Sequence, residues 1–280
     1  MEVMTNIKNI NNIDLYYEHY PCPHAKHTIV LIHGFLSSTF SFRRLIPLLV
    51  NDFHVISIDF PPFGKSGKCS RFTYSYKNIS STVIELLLDL GLKNMILVGH
   101  SMGGQIGLHM VHLNPSLFDK IILICSSAYL KKSKTLLKLS SYIPFFYLYV
   151  KFWLIRSGVR KNLEAVVYDP SIIDDEMMYG YLHPFIQDDE IFKALTRMIR
   201  DREGDLPSKI IQTIDRPCLL IWGDHDRIVP ITVGERLHRE LPNSKLIVLE
   251  NTGHLVPEEK PEDTYYHIKN FVLSGNITSS

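Results

Sequence analysis

Cysteine is scarce in this chain of 280 residues, and the four present, Cys22, Cys69, Cys125 and Cys218, are scattered with no Cys-x-x-Cys pair. That excludes a disulfide framework and a cysteine-based zinc site. An excess of charge is also missing, because 30 basic residues face 29 acidic ones. Nucleic acid is therefore not expected as a partner, since such a surface needs a basic surplus. No apolar run reaches the ~20 residues of a membrane span. Residues 1–20 are polar and asparagine-rich and lack the apolar stretch of a secretory signal, so a reducing cytoplasm is the expected compartment. There is no internal repeat and no low-complexity segment.

What is present is an alternation of short apolar runs with helical patterns. The first twenty residues read as a hairpin turning at Asn11-Asn12. Strand-like runs follow at 27–32, 53–58, 94–98 and 120–125, with helical patterns at 42–50, at 76–90 and after Ser101. The alternation resumes with strands at 218–222 and 245–249 and helices at 231–241 and 261–273. Such a βαβ pattern predicts an α/β fold, a mostly parallel central sheet with helices on both faces. Between the two halves the pattern is helical only and rich in Tyr, Phe and Leu. The expectation is a core of residues 1–127 and 208–280 and an inserted helical cap at 128–207, lying over the carboxyl edge of the sheet. The end of the chain, residues 275–280, is expected to fray.

The motif that carries chemistry is Gly99-His100-Ser101-Met102-Gly103. It joins an apolar strand to a small-residue helix, so Ser101 stands at the tip of a tight turn above the sheet. The flanking glycines let strand and helix approach where a Cβ would collide. The backbone N–H of Met102 falls at a helix N-terminus, where unpaired donors and the helix dipole favour negative charge. A second donor is expected from His33-Gly34-Phe35 at another strand end, through the Phe35 N–H.

A serine nucleophile needs a base, and the base needs an orienting acid. Of thirteen histidines, His254 is best placed, in a loop directly after the last strand. The strand at 218–222 ends in Gly223-Asp224-His225-Asp226, which offers two carboxylates; spacing alone does not choose between them. His109 and His112, three residues apart on the helix after Ser101, read as ordinary helix residues, because no carboxylate or cysteine at ligand spacing joins them.

With these residues in hand the chain resembles the α/β-hydrolase superfamily over essentially its whole length. It is most similar to the cap-bearing branch of esterases, epoxide hydrolases, haloalkane dehalogenases and carbon–carbon bond hydrolases. The resemblance rests on His33-Gly34-Phe35, residues 59–66, residues 99–104, Trp222-Gly223 through Val229-Pro230, and Gly253-His254 with Glu259 and Pro261. It places the acid three residues after the glycine of the Trp-Gly pair, at Asp226, and assigns the oxyanion hole to the Phe35 and Met102 N–H groups. Ser101 stands where dehalogenases and epoxide hydrolases of this branch carry aspartate. His100 and Leu255 stand where carbon–carbon hydrolases commonly have asparagine and tryptophan.

The resemblance implies a serine esterase with catalytic residues Ser101, His254 and Asp226, no metal and no organic cofactor. Its expected partner is a small to medium hydrophobic ester. Tyr129, Phe145, Phe146, Tyr149 and Trp153 are expected to line an apolar pocket beneath the cap. For the apolar stretch 142–155, a pocket wall or buried helix is preferred over contact with a membrane. A carbon–carbon hydrolase of a diketo acid is the alternative; it would need a cation for the substrate carboxylate, for which Arg156, Arg160, Arg197 and Arg200 are candidates. A weakly catalytic ligand sensor is a third reading. A monomer or a homodimer is expected.

Overall fold

The computed structural model describes residues 2–131, 133–186 and 189–273. Residues 275–280, expected to fray, lie outside that range. Eight strands form one sheet: β1 Met4–Ile10, β2 Ile13–Tyr20, β3 Thr28–Ile32, β4 His54–Asp59, β5 Met95–His100, β6 Phe118–Ile124, β7 Cys218–Gly223 and β8 Ser244–Leu249. Their order is β1-β2-β4-β3-β5-β6-β7-β8. β1 and β2 pair antiparallel, as do β2 and β4, and every other neighbouring pair is parallel.

Physical causes for this arrangement are plain in the sequence. β1 and β2 turn at Asn11 and Asn12, both at positive φ (53° and 62°), the backbone that a two-residue hairpin turn demands and that asparagine tolerates. β5 and β7 are buried along their whole length. Strands covered on both faces have no solvent side, so they read as continuous aliphatic runs rather than alternating ones. Leu97, Ile121, Ile122 and Leu220 at the sheet's centre are wholly inaccessible, each contributing roughly 1.5–3 kcal/mol of apolar burial.

The helix Tyr76–Asp89 packs on the helix Met102–Leu113, and Ile46–Leu49 packs on Pro261–Leu273. Ser75 caps the former by accepting from the Asn78 amide (3.1 Å). One expected helix is much shorter than its pattern. In place of 42–50 there is a 3-10 turn, Thr39–Phe42, and a single α turn, Ile46–Leu49. Pro47 has no amide to donate back to residue 43, so the α turn starts just ahead of it.

Between β6 and β7 the described residues form helices only, the inserted cap. Its main pieces are Thr135–Ser140, Phe146–Ser157, Val159–Val166, Asp175–Ile186 and Glu190–Asp201. The cap is tied to the sheet's carboxyl end. Arg43 reaches Asp174 and Glu176 on the cap and Glu258 on the core. The Phe40 ring meets Tyr181 edge-on.

The structure corrects the reading of the aromatic stretch. Phe145, Tyr149 and Trp153 are 70%, 61% and 61% exposed, so they line no buried pocket. Phe146 is half-buried and lines, with Phe145 and Tyr142, a shallow cleft of about 260 Å³ against Glu190–Asp201; Ser101 is not among its walls. Tyr129 is held elsewhere, its hydroxyl donating to Glu240 (2.9 Å) under the guanidinium of Arg236. The cause is a helix that is apolar on every side. Tyr147, Val150 and Leu154 of Phe146–Ser157 pack inward, the helix lies on Glu190–Asp201, and among the described residues Tyr149, Phe152 and Trp153 on the other side stay exposed. No helix of the described residues is long and apolar enough to cross a membrane.

Candidate active site

Three strand ends meet above the sheet. Ser101 follows β5 directly and has φ 52°, ψ −118°, a backbone that costs on the order of 1–3 kcal/mol in a residue with a Cβ. The surroundings enforce it. The Ser101 amide donates to Ile124 O (2.9 Å), and Ser101 O accepts from the amides of Gly104 and Ser127 (3.0 Å each). A Cβ on Gly99 would stand 2.6 Å from Gly103 O, and one on Gly103 would stand 2.2 Å from Ile32 O. Both glycines are therefore demanded by the close passage of strand, turn and helix.

His254 lies in the loop after β8, with Nε2 2.9 Å from Ser101 Oγ and Nδ1 2.7 Å from Asp226 Oδ2. All three residues are buried. The other oxygen, Asp226 Oδ1, accepts from the amides of Ile228 (2.8 Å) and Val229 (2.9 Å). Burial works to raise the Asp226 carboxyl, but the His254 ring and these amides outweigh it and hold it below the usual carboxylate range. Asp224, the competing carboxylate, turns instead to His225 Nδ1 (2.7 Å) and the Thr252 amide (3.1 Å).

Gly34 stands against the nucleophile: a Cβ there would lie 3.2 Å from Ser101 Cβ. The following residue, Phe35, has an exposed side chain resting edge-on against Phe63. Met102 is the first residue of the helix Met102–Leu113, where an N–H has no acceptor within the helix. The Phe35 and Met102 amides thus belong to the two segments flanking Ser101.

Several residues around the site were given no role by sequence reasoning, although His100 and Glu259 lie in the motifs that it quoted. His100 lies beside His254 (ring centroids 4.9 Å apart), and its Nε2–H donates to His254 O (2.8 Å). Burial pushes its pKa down to about 3, so it is a neutral ring. Cys125 directly follows β6 and is buried. Its sulfur and the facing Asp226 and His254 ligand atoms lie within 4.8 Å of one another, the one such group of three among the described residues. Asp226 and His254 are already bonded to each other, and burial raises the Cys125 thiol well above its ordinary pKa. Glu259 latches the loop, accepting from the Gly253 amide (3.0 Å) and the Tyr168 amide of the cap (2.7 Å). The cap also provides Val166 O, which accepts the His254 amide (2.7 Å). The sequence pointed to His100 by its place next to Ser101 and to Glu259 by its place after His254, but the contacts they make are long-range.

The arginines considered for a substrate carboxylate are engaged elsewhere. Arg197 bonds Asp201 and Ser70 O, Arg200 bonds Ser141 and covers the Tyr142 ring, Arg160 pairs with Glu164, and Arg156 lies over Phe152. His109 stacks on Tyr76 (5.5 Å, 25°).

This fold, with a triad-like Ser101–His254–Asp226 arrangement above it, is that of an α/β-hydrolase-fold enzyme. The chain matches the alpha/beta hydrolase family over residues 29–266 and belongs to it. It is 51% identical over 274 residues to Uncharacterized hydrolase YugF of Bacillus subtilis (strain 168), covering 97% of this chain and 100% of that protein. It is 27% identical over 263 residues to 2-hydroxy-6-oxononadienedioate/2-hydroxy-6-oxononatrienedioate hydrolase 2 of Pseudomonas putida, covering 89% of each. Among solved structures it is similar to a serine hydrolase involved in carbazole degradation, the CarC enzyme. There the TM-score is 0.81 at 20% identity, covering 97% of this chain and 99% of that one; at that identity the likeness concerns the fold alone.

Proposed function

We propose that this chain hydrolyses a bond to a carbonyl carbon through an acyl intermediate on Ser101. The observation that carries the reading is the unbroken path from Ser101 Oγ to His254 Nε2 and from His254 Nδ1 to Asp226 Oδ2. His254 takes the serine proton as the oxygen attacks. Asp226 holds the imidazole with its proton on Nδ1 and stabilises the imidazolium that forms. The Phe35 and Met102 amides receive the oxyanion. His254 then protonates the leaving group, and a water molecule repeats the sequence to release the acid. In this reading residues 128–207 form a cap over a core of residues 1–127 and 208–280.

For the bond cleaved, the side chains of the site favour a neutral apolar ester, because the candidate arginines are occupied away from Ser101 and His100 is neutral. A second reading, cleavage of a carbon–carbon bond in a diketo acid, draws stronger support from the relatives, several of which are named as hydrolases of 2-hydroxy-6-oxo dienedioates at 24–28% identity. A panel of p-nitrophenyl esters graded by acyl length, run beside one such diketo acid, decides between them. In either case Ser101→Ala is expected to lower turnover by more than about 10³-fold. Wild-type turnover in that variant would end the proposal.

A further inference from the structure

The charge balance of the whole chain conceals a local imbalance. Residues 129–163 hold eight basic residues and no acidic one, while the rest of the chain carries 22 basic against 29 acidic. The same segment holds eleven of the 23 large apolar side chains that the described residues leave exposed. Singly exposed apolar residues are ordinary, but a concentration of them is not. Leu136 on one helix and Ile143, Phe145, Tyr149, Phe152 and Trp153 on and before the next are 59–77% exposed. The helix Thr135–Ser140 contains no buried residue at all.

From this coincidence we infer that the outer face of residues 130–153 docks on a lipid surface bearing negative charge. Aromatic and aliphatic side chains on short helices would enter the headgroup region, with tyrosine and tryptophan at the boundary. Lys131, Lys134, Lys138, Arg156 and Lys161, all exposed, would meet the anionic headgroups, each strengthening the attachment. A second copy of the chain is the poorer occupant, because two such faces would bring like charges together. The contact lies on the membrane and does not span it, since no described helix is long and apolar enough. The inference does not depend on which bond the enzyme cleaves.

The test is cosedimentation of the full chain with vesicles of phosphatidylglycerol and of phosphatidylcholine. Binding is expected to phosphatidylglycerol, to weaken in high salt, and to be slight with phosphatidylcholine. Trp153 is 61% exposed and the other tryptophan, Trp222, is wholly buried, so a blue shift of emission on vesicle addition reports this face. Phe145→Ser/Trp153→Ser is expected to weaken binding at least about tenfold with unchanged melting temperature and turnover of a soluble substrate. Lys134→Glu/Lys138→Glu/Lys161→Glu, at three exposed residues, is expected to do the same and decides the matter if the aromatic variant misfolds. Absence of binding to phosphatidylglycerol, binding that both variants leave intact, or a dimer in light scattering that the aromatic variant disperses would each overturn the proposal.

Discussion

Asp226 shows how few side-chain atoms set the chemistry at the residue scale. One carboxylate oxygen is fixed by the Ile228 and Val229 amides and the other faces His254. In Asp226→Asn the amide oxygen keeps the two backbone donors, which points the NH₂ at His254 Nδ1. That donor requires an unprotonated Nδ1 and drives the ring proton to Nε2, the nitrogen that should receive the Ser101 proton. Turnover is expected to fall by about 10⁴-fold with the urea midpoint little changed. A variant that retained turnover would show that His254 does not depend on this carboxylate. Serine, histidine and aspartate were each legible from their positions at strand ends, with Asp226 preferred to Asp224 only by resemblance. The hydrogen bonds add the physical reason, since Asp224 is spent on His225 and Thr252.

Elements explain where legibility stopped. The inner parallel strands were readable because burial on both faces leaves continuous aliphatic runs, the edge strand β8 through its apolar Leu246–Leu249 run despite partial exposure, and the hairpin because two asparagines accept positive φ. The helix Phe146–Ser157 was not readable in the same way. An element apolar on all sides announces that it meets apolar surroundings, but not whether these are protein or solvent-facing. The latch between cap and base loop was equally hidden, as its partners are 91 residues apart in Tyr168 and Glu259. Burial raises the Glu259 carboxyl above its ordinary pKa even as it accepts these amides. Glu259→Ala would leave the Gly253 and Tyr168 amides without their acceptor, at roughly 1–3 kcal/mol for the Gly253 amide and less for the exposed Tyr168 amide, which water can reach. The expected result is a lower melting temperature together with a reduced kcat, because the His254 loop loses its tie to the cap. An unchanged melting temperature would mean that the cap is held by its other contacts alone.

For the molecule as a whole, buried ionisable groups divide into two sets that oppose each other as pH changes. Burial pushes His33 and His100 down to about 3 and His109 to about 4. These rings stay neutral in the folded chain while their unfolded counterparts take up protons below ~6.5. The unfolded state then binds more protons, so this set loses stability as pH falls through 6.5. Burial lifts Asp59 and Glu258 to about 7 and Asp205 to about 6. Their folded forms hold protons that the unfolded chain has released, so this set gains stability as pH falls from 7 toward 4. Wild-type stability is therefore expected to change less between pH 7 and pH 5 than either set alone would dictate. Removing one histidine uncovers the acids. His109→Phe keeps the ring that stacks on Tyr76 and abolishes its titration. Relative to wild type, the variant should gain about 1–2 kcal/mol between pH 7 and pH 5, read from urea unfolding at both values. Parallel pH dependence in the two proteins would show that His109 takes up protons alike in the folded and unfolded chain, and that burial does not depress this ring.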